Sequence, residues 1–173
     1  MSLLERFKKI TTFVLDVDGV LTDGTIYVFE NGEQVRRMSI RDGFALQLAI
    51  KKGYRILIIS GSNSPAVIVR LKKLGITDIF MNVLDKPAAI LQYMADHNLK
   101  KEEVLFMGDD IPDFVAMQTV GLPCAPNDAA HEIRKAAVYI CNANGGKGCA
   151  REVIEKVLKL NDHWEMETDI ASR

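Results

Sequence analysis

Six short apolar runs, Thr12 to Asp16, Arg55 to Ile59, Asp78 to Met81, Val104 to Met107, Leu122 to Ala125 and Val138 to Cys141, alternate with amphipathic stretches of helical length. Strands that stay apolar along their whole length are buried on both faces, and connections long enough to hold a helix join parallel neighbours. The alternation therefore predicts an α/β fold, a doubly wound Rossmann-like parallel sheet with helices on each side. A chain of 173 residues, 48% hydrophobic and 26% charged, suits one globular core. Residues 1–160 read as a single domain and residues 161–173 as a tail.

Helix punctuation is consistent with this frame. Asp42 is placed to cap a helix that ends near Gly53, and Ser64-Pro65 forms a cap and first-turn pair for one that ends near Gly75. Pro87 opens a helix towards His97, Pro112 or Asp113 opens one ending at Gly121, and Gly148 to Leu160 forms the last. One stretch breaks the alternation. Gly24 to Met38 carries Thr25 to Phe29, then Asn31-Gly32, then Gln34 to Met38, which is the signature of a β-hairpin inserted after the first strand. An unpaired apolar ribbon seldom stays isolated, so it serves as a flap over a site or as an oligomerisation edge, with a solvated decoration as the bland reading.

A formal net charge of −1 and a pI near 6.3 give no reason to expect nucleic acid or an anionic membrane as partner. Cys124, Cys141 and Cys149 are odd in number and lack CxxC spacing, which favours a reducing cytoplasm, and neither a signal core nor a bilayer-spanning run is present. His97, His131 and His163 have no metal-binding spacing, and no Gly-x-Ser-x-Gly elbow accompanies them. Cys149 has no paired His and reads as a packing residue. Asn142 to Gly148 lacks the Gly-Lys-Ser/Thr ending of a nucleotide-binding loop. The tail has Trp164 and Met166 among acidic residues, and is either unstructured alone or packed against a neighbouring subunit.

In open α/β sheets, ligands collect at the carboxyl ends of the strands. Those ends are polar here: Asp16-Val17-Asp18-Gly19-Val20-Leu21-Thr22 after the first run, Ser60-Gly61 after the second, Lys86 after the third, and Gly108-Asp109-Asp110-Ile111-Pro112-Asp113 after the fourth. Asp16, Asp18 and Asp109 make an oxygen-rich cluster suited to Mg²⁺, which takes few carboxylates and keeps waters or substrate oxygens elsewhere. A carboxylate attacking phosphorus gives an acyl phosphate, but a dianionic phosphate repels the attacking anion. Mg²⁺ and Lys86 can neutralise that repulsion, while the Ser60 hydroxyl and nearby amides hold nonbridging oxygens.

Taken together, Asp16-x-Asp18-Gly-Val-x-Thr22, Ser60-Gly61, Lys86 and Gly108-Asp109-Asp110-x-x-Asp113 resemble the four motifs of the haloacid dehalogenase superfamily of phosphatases, over about Phe13 to Val157. The resemblance implies that Asp16 is the nucleophile. Asp18 would protonate the leaving alkoxide, later activate water, and give Mg²⁺ its backbone carbonyl; Asp109 would be a metal ligand. Only the hairpin and a helix separate Asp18 from Ser60, and a helix and a strand separate Ser60 from Lys86, so no cap domain fits.

Capless members of this size resemble phosphatases of 3-deoxy-manno-octulosonate 8-phosphate, a lipopolysaccharide intermediate, and of nonulosonate 9-phosphates. That likeness implies a sugar-acid phosphate substrate and a homotetramer whose hairpins lie between subunits and whose sites are closed by neighbours. Arg41-Asp42-Gly43, Arg70, Lys73 and the segment Gly145 to Glu152 extend it, and Arg41, Arg70, Lys73, Gly61 and Asp113 join Ser60 and Lys86 as substrate-binding candidates. Arg70 and Lys73 share a helix face and suit a substrate carboxylate, although such pairs are often solvated. Ser62 departs from both related patterns, Arg in the octulosonate type and an acidic residue in the nonulosonate type; Arg41-Asp42-Gly43 favours the former. A phospho-accepting receiver and an inert sugar-phosphate-binding subunit are the non-enzyme alternatives. A receiver places its adjacent acidic pair first, whereas here Asp109-Asp110 comes late.

Overall fold

The computed structural model describes residues 1–166 and 168–171. Six parallel strands, β1 (Thr12–Leu15), β4 (Arg55–Ile59), β5 (Asp78–Phe80), β6 (Val104–Met107), β7 (Leu122–Ala125) and β8 (Tyr139–Ile140), form one sheet in the order β5-β4-β1-β6-β7-β8. All six expected strands are present. The chain runs outward from β1 through β4 to β5, then returns past β1 to build the other half. β1 therefore lies at the switch point, where a crevice opens beyond the strand ends.

Period-two alternation sorts the core onto two faces. Phe13, Leu15, Ile56, Ile58, Leu105 and Met107 point to one side, against residues of α1 (Leu3–Lys9), α2 (Ile40–Lys51), α3 (Pro65–Lys73) and α7 (Cys149–Leu160). Val14, Leu57, Ile59, Val104 and Phe106 point to the other, against α4 (Lys86–Asp96), α5 (Phe114–Gln118) and α6 (His131–Ala136). Every residue of β1 and β6 is buried, as a strand covered on both faces requires.

Between β1 and β4 lie only a helical turn over Val17–Leu21, the hairpin, with β2 (Tyr27–Val28) paired antiparallel to β3 (Gln34–Val35), and α2. Between β4 and α4 lie only α3 and β5, so the fold is capless. The hairpin forms its own two-stranded sheet, tied at its base by a bridge from Thr22 to Met38.

Two details differ from expectation, and α1 is an element the sequence reading did not include. Ser39 caps α2, its Oγ accepting from the Asp42 amide at 3.3 Å, so Asp42 sits in the first turn. Asp42 instead serves another helix. Its buried carboxylate accepts from the Arg151 amide at 2.8 Å and caps α7, whose own N-cap, Gly148, has no side chain to offer. The charged first residues form α1, closed by a capping box between Ser2 and Glu5. The tail, of which Glu167, Ser172 and Arg173 lie outside the described residues, rests on the chain's own α2. Lys52 pairs with Glu165 and Tyr54 with His163, and the Arg151 guanidinium lies against the rings of both Phe44 and Trp164, which meet edge to face. Among the described residues, no helix is long and apolar enough to cross a membrane.

Candidate active site

The register of β1 with β4 and β6 brings Leu15 level with Ile58 and Met107. Asp16, Ser60 and Asp109 thus emerge side by side where three strands end. The turn after Asp16 depends on Gly19, at φ +80° and ψ −7°, a conformation costly for a residue with a side chain. A Cβ there would lie 1.9 Å from an Asp109 oxygen, so glycine also makes room for the neighbouring carboxylate. Thr22 secures the turn, its Oγ1 accepting from the amides of Gly19 and Gly24. The segment around Gly145 and Gly146 lies against the same turn: a Cβ on Gly145 would meet the Gly19 carbonyl at 2.0 Å, and the Gly146 amide donates to the Val20 carbonyl.

Lys86 occupies the first turn of α4, behind an N-cap in which Asp85 accepts from the Ala88 amide. Its buried ammonium lies 3.1 Å from Asp16 Oδ1 and donates to Asp113 Oδ1 at 2.6 Å. Asp113 Oδ2 accepts from the Asp109 amide at 3.0 Å. Asp16, Asp109 and Asp113 each place one carboxylate oxygen within 4.8 Å of the others. Burial, followed by repulsion from Asp113, raises the Asp16 carboxyl well above the ordinary range. Asp109 is pushed up to about 7, by burial first and then by Asp16 and Asp113. Burial alone would lower the Lys86 ammonium, but Asp16 and Asp113 outweigh it and raise it.

Three carboxylates crowded this way fit a hard divalent cation, which takes oxygen ligands and favours the ionised forms. Both Asp113 oxygens are already bonded, so Asp113 suits a supporting place behind Asp16 and Asp109. Asp18 does not join the cluster; its carboxylate bonds Arg36 and Ser62.

Asp16, Asp18, Ser60, Gly61, Lys86, Asp109 and Asp113 all line one cavity of about 340 Å³, with the fully exposed Leu84 at its edge. Larger hollows exist, but size is a poorer guide than converging chemistry. One of about 630 Å³ beside α7 takes Arg41, and another of about 660 Å³ on α3 takes Arg70 and Lys73. These three candidates stand outside the cavity that Asp16 and Lys86 line in their own chain. Arg36 was missed by the sequence reading, although adjacent Arg36 and Arg37 on a hairpin's return strand must point to opposite faces, and one faces the site.

A sequence profile of haloacid dehalogenase-like hydrolases matches residues 73–153. A 3-deoxy-D-manno-octulosonate 8-phosphate phosphatase from Yersinia pestis is 32% identical over 169 residues, 98% of this chain and 90% of the relative. The chain belongs to the haloacid dehalogenase-like hydrolases and is a phosphatase. Among solved structures, the octulosonate phosphatase of Moraxella catarrhalis, in complex with magnesium ion, phosphate ion and KDO, shares 32% identity at a TM-score of 0.89, covering 92% of each chain. The cobalt-bound form of the Haemophilus influenzae enzyme shares 30% at 0.87, covering 91% of this chain and 92% of that one. Membership of this phosphatase family sets aside the receiver and the inert binding subunit.

Proposed function

We propose that this phosphatase hydrolyses 3-deoxy-D-manno-octulosonate 8-phosphate to the free sugar acid and phosphate, a step in lipopolysaccharide precursor synthesis, through an aspartyl phosphate on Asp16 and with Mg²⁺. The observation that carries the chemistry is the convergence of Asp16, Asp109 and Asp113 around the buried Lys86. The octulosonate phosphatases among its relatives, one holding KDO, support the substrate.

Asp16 and Asp109, with the Asp18 backbone carbonyl, would hold the ion, and Asp113 would orient Lys86 and the Asp109 amide. Bound there, Mg²⁺ supplies the positive charge that lets a phosphate dianion approach a carboxylate. An Asp16 oxygen bonds to phosphorus as the ester P–O bond breaks, and Asp18 delivers a proton to the leaving oxygen. Lys86 offsets charge on Asp16, and Ser60 with the Gly61 amide holds nonbridging oxygens. In the second step Asp18 takes a proton from water, which displaces the carboxylate and frees phosphate.

A screen of phosphate release across sugar-acid and simple phosphates, with and without Mg²⁺, tests the reading. The octulosonate 8-phosphate should give the highest kcat/KM, and Asp16→Asn should lower it on the order of a thousandfold or more. Unchanged turnover by Asp16→Asn, or after chelation, would sink the mechanism. A nonulosonate 9-phosphate that outperforms would sink the substrate alone.

A further inference from the structure

Asp18 is held by two residues to which the chemistry above gives no role. Arg36 follows β3 and precedes the bridge that ties Met38 to Thr22, so the register of the hairpin base fixes where it points. Its Nε donates to Asp18 Oδ1 at 2.6 Å and its Nη2 to Oδ2 at 3.3 Å. Ser62 Oγ also donates to Oδ2, at 2.9 Å. Ser62 is itself held by Ser60, whose Oγ lies 3.0 Å from the Ser62 hydroxyl and accepts from its amide at 3.1 Å.

The contrast along the hairpin is informative. The Arg36 side chain is 6% exposed, whereas Arg37, the next residue, reaches outward to Asp23 and is 61% exposed. Desolvating a guanidinium is costly unless a matched acceptor receives it. Two-pronged contact with a carboxylate fixes its plane as well as its position, which a single point charge does not do. Ser62, where the sequence departs from related patterns, supplies the third contact.

We propose that Arg36 is a positioning residue for proton transfer: together with Ser62, its fork receives the Asp18 carboxylate as its proton passes to the leaving oxygen, and so sets the orientation of that transfer. The inference rests on Asp18 being the general acid. In that step the Asp16–phosphorus bond forms, the ester P–O bond breaks, and the Asp18 proton passes to the leaving oxygen; Arg36 itself gains and loses nothing. A misaligned acid slows a reaction in proportion to how much the leaving oxygen needs a proton. A sugar alkoxide needs one, and a dinitrophenolate does not.

The test measures leaving-group release in the first turnover, with Mg²⁺ present, for an alkyl phosphate, phenyl phosphate and 2,4-dinitrophenyl phosphate. Parent, Arg36→Met, Arg36→Lys and Asp18→Asn proteins are compared, with thermal melts to confirm folding. Positioned proton transfer contributes roughly 10²–10⁴-fold, so Arg36→Met should slow the alkyl ester on the order of ten- to a hundredfold and the dinitrophenyl ester by less than about threefold. Arg36→Lys, which keeps charge without the fork, should fall between, and it provides the measurement if Arg36→Met does not fold. Equal slowing of all three esters, or none, overturns the proposal. A graded Asp18→Asn beside a flat Arg36→Met overturns this inference alone, whereas a flat Asp18→Asn removes the general-acid reading and the inference with it.

Discussion

The Lys86 ammonium stands between Asp16 and Asp113, holding together acidic side chains that burial and mutual repulsion would otherwise neutralise. This sets a direction for pH dependence. In the metal-free protein, Asp109 is pushed up to about 7, Asp16 is also raised, and Asp42 is raised to about 6, chiefly by burial. Below about pH 4 these groups are protonated in both states, so they make no difference to stability. Between about pH 4 and pH 7 the folded state binds more protons than the unfolded chain, and stability must fall as pH rises. A divalent ion selects the ionised carboxylates and releases the protons. Urea midpoints of chelated protein should therefore decline from about pH 5 to about pH 7.5, and saturating Mg²⁺ should flatten or reverse the decline. A chelated protein that gains stability across that window would contradict the electrostatics assigned to these residues.

At the scale of elements, α7 draws its N-cap from another helix. Its first turn and the segment before it also hold the loop that follows Asp16, with Cys149 Sγ 3.2 Å from the Val20 carbonyl and the Gly146 amide 2.9 Å from it. Asp42→Ala should remove the cap at a cost of about 1–2 kcal/mol in urea denaturation, and Asp42→Asn, which keeps an acceptor, should cost less. Amide exchange at residues 149–151 should quicken in the alanine variant, and a loss below about 0.3 kcal/mol would show that the contact caps nothing. The strands were readable because burial on both faces leaves a continuous apolar run, and the site was readable because its polar residues follow those runs directly. Asp42 was misplaced for a local reason. Ser39 and Asp42 lie three apart and both favour helix starts, but in that spacing the hydroxyl is the cap and the acid takes the third position. Its true partner, Arg151, lies 109 residues away, beyond any local rule. Arg36 was equally hidden, since which of two adjacent arginines faces Asp18 depends on the Thr22–Met38 pairing.

For the whole molecule, the hairpin and the outlying basic residues pose one problem. Ile26, Tyr27, Val28, Phe29 and Val35 are exposed on a ribbon with no sheet behind it, and Arg41, Arg70 and Lys73 stand outside the cavity of their own chain. Both observations fit an assembly in which hairpins are covered by neighbours and a basic helix face of one subunit completes the site of another. A net charge of −1 offers little long-range repulsion to self-association. If neighbours cover the hairpins in this way, the parent should sediment as an oligomer, and replacing Tyr27 and Phe29 together with Glu should yield monomers in sedimentation velocity. Losing a charge-assisted hydrogen bond to the substrate carboxylate costs about 1.5–3 kcal/mol, so Arg70→Ala should raise the Michaelis constant for a sugar-acid phosphate on the order of tenfold or more. It should leave that for an aryl phosphate, which lacks the carboxylate, nearly unchanged. The dissociated hairpin variant should show the same selective defect, and adding Arg70→Ala to it should make it no worse. A parent protein that sediments as a monomer, or an Arg70→Ala effect that persists at full size in the monomer, would place the basic face outside any shared site.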